Sequence, residues 1–391
     1  MSTLQSVLQA VLVTFILGIY GCLEADPFAD DSAADTGERA PTPAPDNTPN
    51  DRPEVQPPAD LIDPCQGLGT PNLYADSETD LVVGCTNGIG LWHSTDAGDS
   101  FIGAHPSGAL YVFDIARTQA GEMLVCGHDY DADGVLLYSG QPGEDWKALL
   151  SYGNNASDLG TAYLSNCGAV AAGSDGQLVV SSLTTGDITW SEDGGTTWSK
   201  ELRHWEDDNL DPDGYAFHYL FHLLGEDGII YGAGGQITEP PMFFQPSDHA
   251  HASWWTLHSV PIDPTVQGEV WALATPDNGA TWLAGGRDHS PIRRASGFFY
   301  RSVDGGDSWT ALPLPESIDI VRAVAFADDA LHGVAVGHRY PSIHGGFALV
   351  TEDGGASWVE LGDDLPLLEA ATVSGDTYWL AGDAYLSRGR F

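Results

Sequence analysis

Positive charge is what this sequence has least of: Lys and Arg together number 14 against 56 Asp and Glu, a formal net charge of -42. A surface so acidic repels nucleic-acid phosphates and anionic lipid head groups, which excludes nucleic acid, or a membrane surface, as a partner held by general electrostatics. Cations are the natural counter-partners. After residue 25 there is no long run of apolar residues at the three- and four-residue spacing of an amphipathic helix, so helix should be scarce. Familiar catalytic patterns are missing as well. There is no Gly-x-Ser-x-Gly elbow, no HExxH, no Walker loop and no Rossmann glycine pattern.

What is plentiful belongs to strands and turns: 47 Gly, 24 Pro and 12 Trp in 391 residues. Such a chain is expected to be all-β, and at this length an all-β chain can be one domain. The N-terminus is set apart. VLQAVLVTFILGIY, from Val7 to Tyr20, is short for a membrane span and matched to the apolar core of a signal peptide. It ends in IYGC, a small residue before a cysteine that resembles a bacterial lipobox and would make Cys22 the lipidated first residue of the mature chain. MSTLQS supplies no Lys or Arg, and Tyr20 is bulky for its place. An ordinary cleaved signal and an uncleaved anchor therefore stay open beside lipidation. Residues 22–60 are rich in Asp, Pro, Ala and Thr and nearly free of large apolar side chains, which reads as a disordered, extended tether. The expectation is a signal peptide at 1–21, a tether at 22–60 and a folded domain at 61–391, exported and held at a bacterial outer membrane or cell surface through its lipid alone.

Within that domain two patterns recur. STDAGDSF (94–101), SEDGGTTW (191–198), SVDGGDSW (302–309) and TEDGGASW (351–358) share Ser/Thr-x-Asp-x-Gly-x-Ser/Thr-aromatic, and SGQPGEDW (139–146) is a degenerate copy. QPSDHAHASWW (245–255) keeps little beyond its Trp pair, and TPDNGATW (275–282) reads as a hairpin turn that matches by chance. Independently, short apolar runs end in a small residue at 84, 127, 181, 234, 285, 337 and 382, spaced 43 to 54 apart. That is the period of one four-stranded propeller blade. Seven such units predict a single seven-bladed β-propeller. The last unit stops one strand short, and residues near Leu61 to Gly67 are placed to supply the missing strand and close the ring.

The repeated phrase resembles the Asp-box, or BNR repeat, of sialidases, sortilin-type receptors, some endoglucanases and photosystem assembly-factor propellers, over residues 64–391. The resemblance implies that Asp96, Asp193, Asp304 and Asp353 are structural, lying away from the ligand face. A sialidase would carry an Arg-Ile-Pro motif in its first blade, three arginines around a carboxylate and a Tyr/Glu pair. The first unit here has no Arg, and SPIRR (290–294) stands in the wrong unit. Arg287, Arg322 and Arg339 could converge near Tyr340 and Glu369, so a divergent sialidase-like glycoside hydrolase remains the rival to a non-catalytic module that binds a protein or glycan.

Strand order places the residues after each small residue around one mouth. Polar groups concentrate there at His128 and Asp129, at Arg287, Asp288 and His289, and at His338, Arg339 and Tyr340, the candidate ligand-binding set. His218 and His222 share a strand face with no third metal ligand in view. Four cysteines beyond Cys22 fall on the same side of the domain. Cys65 with Cys85 and Cys126 with Cys167 is the expected pairing, against two others that the sequence allows. No cofactor is required by any motif. DYDADG (129–134), with alternating Asp129, Asp131 and Asp133, resembles the opening of a calcium loop, and NLDPDG (209–214) offers Asp211 and Asp213. The twelfth position from Asp129 is Gly140, so this is not an EF-hand.

Overall fold

Runs such as LVVGC and TYWLAG are buried along their whole length, which is why they lack the alternation of a half-exposed strand. They are the second strands of seven four-stranded antiparallel sheets in a computed structural model of the chain. The structure describes residues 59–67 and 71–391 apart from internal segments, the longer being 152–166, 183–187, 202–218, 236–239, 246–257, 290–295 and 341–344. No α-helix occurs among the described residues. The inner strands of blades 1 to 7 are Pro71–Ala75, Leu110–Arg117, Ala169–Ala172, Tyr219–Glu226, Gly268–Ala274, Ile318–Phe326 and Leu368–Ser374. The second strands are Leu81–Cys85, Met123–Asp129, Leu178–Ser181, Ile229–Gly235, Trp282–Asp288, Gly333–Arg339 and Thr377–Gly382.

The core lies between blades. Seven apolar clusters each join residues of two consecutive blades, from Val82 with Val112 at the first seam to Val334 with Leu380 at the sixth. The seventh sets Trp379 of blade 7 against Leu81, Val83 and the Cys65–Cys85 pair of blade 1. With the seventh seam formed, every blade has both faces covered by its neighbours, which removes their apolar surface from water. Closure comes from Ala59–Asp60, which pairs with Ser387 and Arg388 of the third strand of blade 7, Tyr385–Arg390. The closing strand therefore starts two residues before Leu61, inside the stretch read as tether. Leu61 continues it by donating its N–H to the Leu386 carbonyl at 2.8 Å. The disulfides are Cys65–Cys85 and Cys126–Cys167, with Cα atoms 5.5 and 5.4 Å apart, the pairing expected from their side of the domain.

The repeated phrase forms the turn from third to fourth strand. In blade 5, Ser302 Oγ donates to Asp304 at 2.7 Å and accepts the Gly306 N–H at 2.9 Å, while Ser308 donates to Asp304 from both its N–H and its hydroxyl. The residue after the Asp and the one after that have positive φ, 75° at Gly305 and 96° at Gly306, a left-handed pair that glycine adopts without strain. The residue after the Asp donates its N–H to the turn between the first two strands of its own blade: Ala97 to Thr79, Gly194 to Gly176, Gly305 to Ala280 and Gly354 to Leu331. Each phrase thus staples two turns at the face opposite the mouth. TPDNGATW proves to be more than a chance match. It is the hairpin turn expected, but Gly279 N–H reaches Thr275 Oγ1 at 2.7 Å and Thr281 donates twice to Asp277, which repeats the bonding of the phrase. In blade 2 the missing Asp is replaced: Ser139 donates to Glu122 and Gln141 to the Gly121 carbonyl. QPSDHAHASWW lies largely outside the described residues.

Candidate functional site

Five inner strands are bulged at one level. Val112 pairs with Gly127 and Asp114 with Cys126, so Phe113 is skipped; the same shift skips Phe221, Trp271, Arg322 and Glu369. In each case the residue before the skipped one faces a glycine of the second strand: Gly127, Gly234, Gly286, Gly337 or Gly382. Four of these glycines are obligatory in the local geometry. A Cβ on Gly127, Gly286 or Gly337 would stand 1.8 to 2.0 Å from an inner-strand carbonyl oxygen, and one on Gly382 1.7 Å from that of Leu367, just before the inner strand. In blades 2, 4, 6 and 7 the small residue that marks the blade period is the glycine opposite the bulge, and in blade 5 it is the residue before that glycine; a bulge re-aims a side chain. Blades 1 and 3 keep regular pairing and have no skipped residue.

The skipped residues of blades 5, 6 and 7 form a continuous row. The Arg322 guanidinium lies over the Trp271 ring at 4.3 Å, within cation–π range. Its Nε donates to Glu369 Oε2 at 2.5 Å, and His338 Nε2 lies 2.9 Å from Glu369 Oε1. Burial alone would raise the Glu369 carboxyl, but Arg322 and then His338 outweigh it and hold it down to about 2. Nearer the mouth, Arg287 pairs with Asp319 at 3.4 Å and His289 with the buried Glu269 at 3.4 Å. Across the ring, Asp114 adjoins the skipped Phe113. It accepts the N–H of Val170, on the inner strand of blade 3, at 2.8 Å and that of Ile115 at 2.9 Å. Burial pushes its carboxyl up to about 7 against the pull of both amides. Asn72 likewise donates to the Val112 carbonyl, so side chains of one blade cap the exposed inner edge of the next.

The structure scatters the set of mouth residues expected from sequence. Arg287, His289 and His338 take part in the charged groups just described. Asp288 is buried at the end of its strand, and Tyr340 is exposed. Asp129 is wholly buried inside blade 2, where it accepts from Ser107, Tyr138 and the Asp131 N–H, so it is not a rim residue. Arg339 turns outward to Ser317, the Gly346 carbonyl and Glu360 of the outermost strand. The three arginines therefore do not converge: Arg287, Arg322 and Arg339 each pair with a different carboxylate, Asp319, Glu369 and Glu360. The oxygens of Asp129 are taken by hydroxyl and amide donors, which is poor company for calcium. Asp133, Asp211, Asp213, His218 and Cys22 lie outside the described residues, as does the side chain of His222. Among the described residues no three His, Cys, Asp or Glu side chains are placed to hold a metal ion.

Trp271, Glu269, Asp319 and Asp114 were not singled out from the sequence, and for Trp271 and Glu269 a signal existed. EVWALA, VRAVAF, LEAATV and LYVFDIAR are apolar inner strands, each interrupted by an aromatic or charged residue beside the partner of a second-strand glycine.

No protein-family model and no curated protein sequence matches the chain. Solved structures do. One of YCF48 bound to D1 peptide is 14% identical, covers 86% of this chain and 96% of its own, and superposes with a TM-score of 0.55. A catalytically inactive virginiamycin B lyase from Staphylococcus aureus with quinupristin is 11% identical over 86% and 99%, with a TM-score of 0.57. The RRP9 WD40 repeats are 11% identical over 86% and 99%, with a TM-score of 0.55. At such identities the likeness is one of fold, and by fold this chain is a seven-bladed β-propeller.

Proposed function

We propose that this chain is a non-catalytic binding module that takes a protein or glycan partner at the mouth of its propeller, through the row Trp271, Arg322 and Glu369 with His338. The observation that carries the reading is that row itself: an aromatic face and two charges of opposite sign, turned out of apolar strands by bulges. Rigid aromatic and Arg side chains are the usual anchors of recognition. The separation of Arg287, Arg322 and Arg339 onto different carboxylates counts against the sialidase-like hydrolase, which needs arginines free to clamp a substrate carboxylate. That YCF48 has been seen with a peptide makes peptides a sensible partner class to try first. Two disulfides fit an oxidising compartment. With the apolar core before Cys22, they support export and attachment through lipid at that cysteine. The repeated turns support membership of the Asp-box propellers.

Peptide and glycan arrays probed with the wild type, Trp271→Ala and Arg322→Ala test the reading, alongside turnover assays on sialosides and glucans. A bound class that both variants lose, with no turnover, is the expected result. Turnover that disappears in Glu369→Gln would establish the hydrolase instead.

A further inference from the structure

Blade 7 takes its outermost strand from the other end of the chain. Short outermost strands are common in this ring: Ile102–Gly103, Thr310–Ala311 and Val359–Glu360 close blades 1, 5 and 6 with two residues each. Each of those follows its third strand through the repeated phrase, and an aromatic residue of the phrase, Phe101, Trp309 or Trp358, packs into a seam. Ala59–Asp60 has neither support, and both of its residues are exposed. The strand is held by backbone pairing with Ser387 and Arg388, by the Leu61 N–H on the Leu386 carbonyl, by a bond between Asp60 and Tyr385, and by the Leu61 side chain at the blade 7 to blade 1 seam.

Its first covalent hold is on the neighbouring blade, because Cys65 is bonded to Cys85 of blade 1. Asp63 fixes the same base: its carboxylate accepts the Cys65 N–H at 2.8 Å and the Gly67 N–H at 2.7 Å, and Asn87 donates to the Cys65 carbonyl at 3.1 Å. The residues before Asp63 are therefore an arm, anchored to blade 1 and laid across to blade 7. A second copy carries an identical arm and an identical edge, so two copies that exchange arms lose no bond in either blade 7. Fully extended, residues 59–62 reach about 13 Å, which requires the two rims to touch beside Asp63. Apolar surface is left over at that place. Ile62 is 70% and Ile102 63% exposed, and the residues just before them, Leu61 and Phe101, both lie against Gly98.

We propose that a second copy of this chain docks at the rim of blade 7, the two copies exchanging residues 59–62 so that each arm completes the other's ring. The dimer covers Ile62 and Ile102 between the rims and brings two mouths onto one particle, which raises avidity for a partner with repeated epitopes. It does not rest on the binding reading above, since no mouth residue takes part. A formal charge of -42 on each copy opposes association, and salt screens that repulsion, beyond about 8 Å at physiological ionic strength. The edge itself carries the opposite sign, with Arg388 and Arg390 on Tyr385–Arg390. Dimerisation therefore strengthens as salt is raised.

Two full-length variants, Asp60→Cys and Ser387→Cys, test the proposal, each also carrying Cys22→Ser so that the other four cysteines stay in their two disulfides and no further thiol is free. Asp60 and Ser387 are opposite in the register and Ser387 is fully buried, so a disulfide to position 387 reports an arm lying on an edge. Mixed at about 100 μM and oxidised, the two chains become linked through those positions, and dilution reduces the yield. Sedimentation of the wild type shows a dimer whose dissociation constant falls as salt is raised. The constant rises at least about tenfold in Ile62→Lys with Ile102→Lys, which removes the apolar contact from two exposed positions. Asp60→Cys with Ser387→Cys in one chain, oxidised when dilute, is locked closed and stays monomeric. Should Ser387→Cys misfold, sedimentation of the wild type and the isoleucine variant decides alone. No link between the mixed chains, a monomeric wild type, or a dimer that persists in the locked chain or in the isoleucine variant overturns the proposal. Linkage of Ser387→Cys to a synthetic peptide of residues 57–63 carrying Asp60→Cys, and to no second chain, overturns it in favour of a foreign strand.

Discussion

Glu369 and Asp114 are deep carboxyls with opposite titration behaviour, because one has cations and the other has only amides. Asp114 is raised to about 7, so between about pH 4 and about pH 7 the folded chain holds a proton that the unfolded chain has released. Stability from this group is therefore complete below about pH 4 and declines as pH rises through about 7, by at most about 1.4 kcal/mol per pH unit. Glu369 runs the other way. Lowered from 4.5 to about 2, it contributes stability that is present above its ordinary range and lost as pH falls toward 2. Asp96 and Asp193, held near 2 by hydrogen bonds from Ser100 and Ser94 and from Thr197 and Ser191 respectively, lose their contribution over the same acid range. Urea melts from about pH 5 to about pH 8 should show stability falling with pH in the wild type and flat in Asp114→Asn. Arg322→Ala leaves Glu369 buried without its main counter-charge and should cost about 3 kcal/mol in the same assay, a loss that Arg322→Ala with Glu369→Gln partly restores. Neither carboxyl's behaviour was legible in the sequence. Arg322 and Glu369 are 47 residues apart, and only the ring places them side by side.

The elements are more readable than the residues, since each is written locally. A Ser, an Asp two on and a Gly two further on make a turn from within eight residues, so the phrase could be recognised wherever it stood. Even TPDNGATW, which sits between the wrong pair of strands, folds the same way. Ser302→Ala removes a buried hydroxyl that bridges Asp304 and Gly306 and should cost about 1 to 2 kcal/mol by denaturant titration. The second-strand glycines were read as a period marker, and their cause was not visible: a carbonyl of the inner strand approaches them because that strand is bulged. Gly337→Ala puts a methyl 2.0 Å from the Ile320 oxygen. It should cost about 2 to 3 kcal/mol and, by displacing the bulge, weaken any ligand held by Arg322. Gly103, an outer-strand glycine with nothing within 4 Å of an added Cβ, is the control and should accept Ala with little change.

At the scale of the whole molecule, stability depends on one seam. Two strand residues, Ala59 and Asp60, with Leu61 behind them, complete blade 7, and the Cys65–Cys85 bond ties the segment to blade 1. Trp379 donates to the Ala97 carbonyl at 3.0 Å and Arg388 to the same oxygen at 3.1 Å, so blade 7 is also fastened to the first copy of the phrase. Cys65→Ser with Cys85→Ser should lower unfolding free energy by about 2 to 4 kcal/mol. Hydrogen exchange should localise the loss: the Leu61 amide and the Tyr385–Arg390 strand exchange faster, while the blade 2 to blade 3 seam, with its own disulfide, keeps its protection.

Local pattern settled the class, the seven blades and the repeated turns, because strand burial, turn chemistry and a glycine's backbone freedom act within a few residues. It also brought the four cysteines to one side, since strand direction follows from counting strands. Which charges meet was decided by the closed ring alone. Arg339, two residues along the chain from the shared Gly337, turns outward to Glu360, whereas Arg322 on the adjacent strand turns inward to Glu369. The difference is a bulge of one residue, and a bulge exists only where one strand is packed against another.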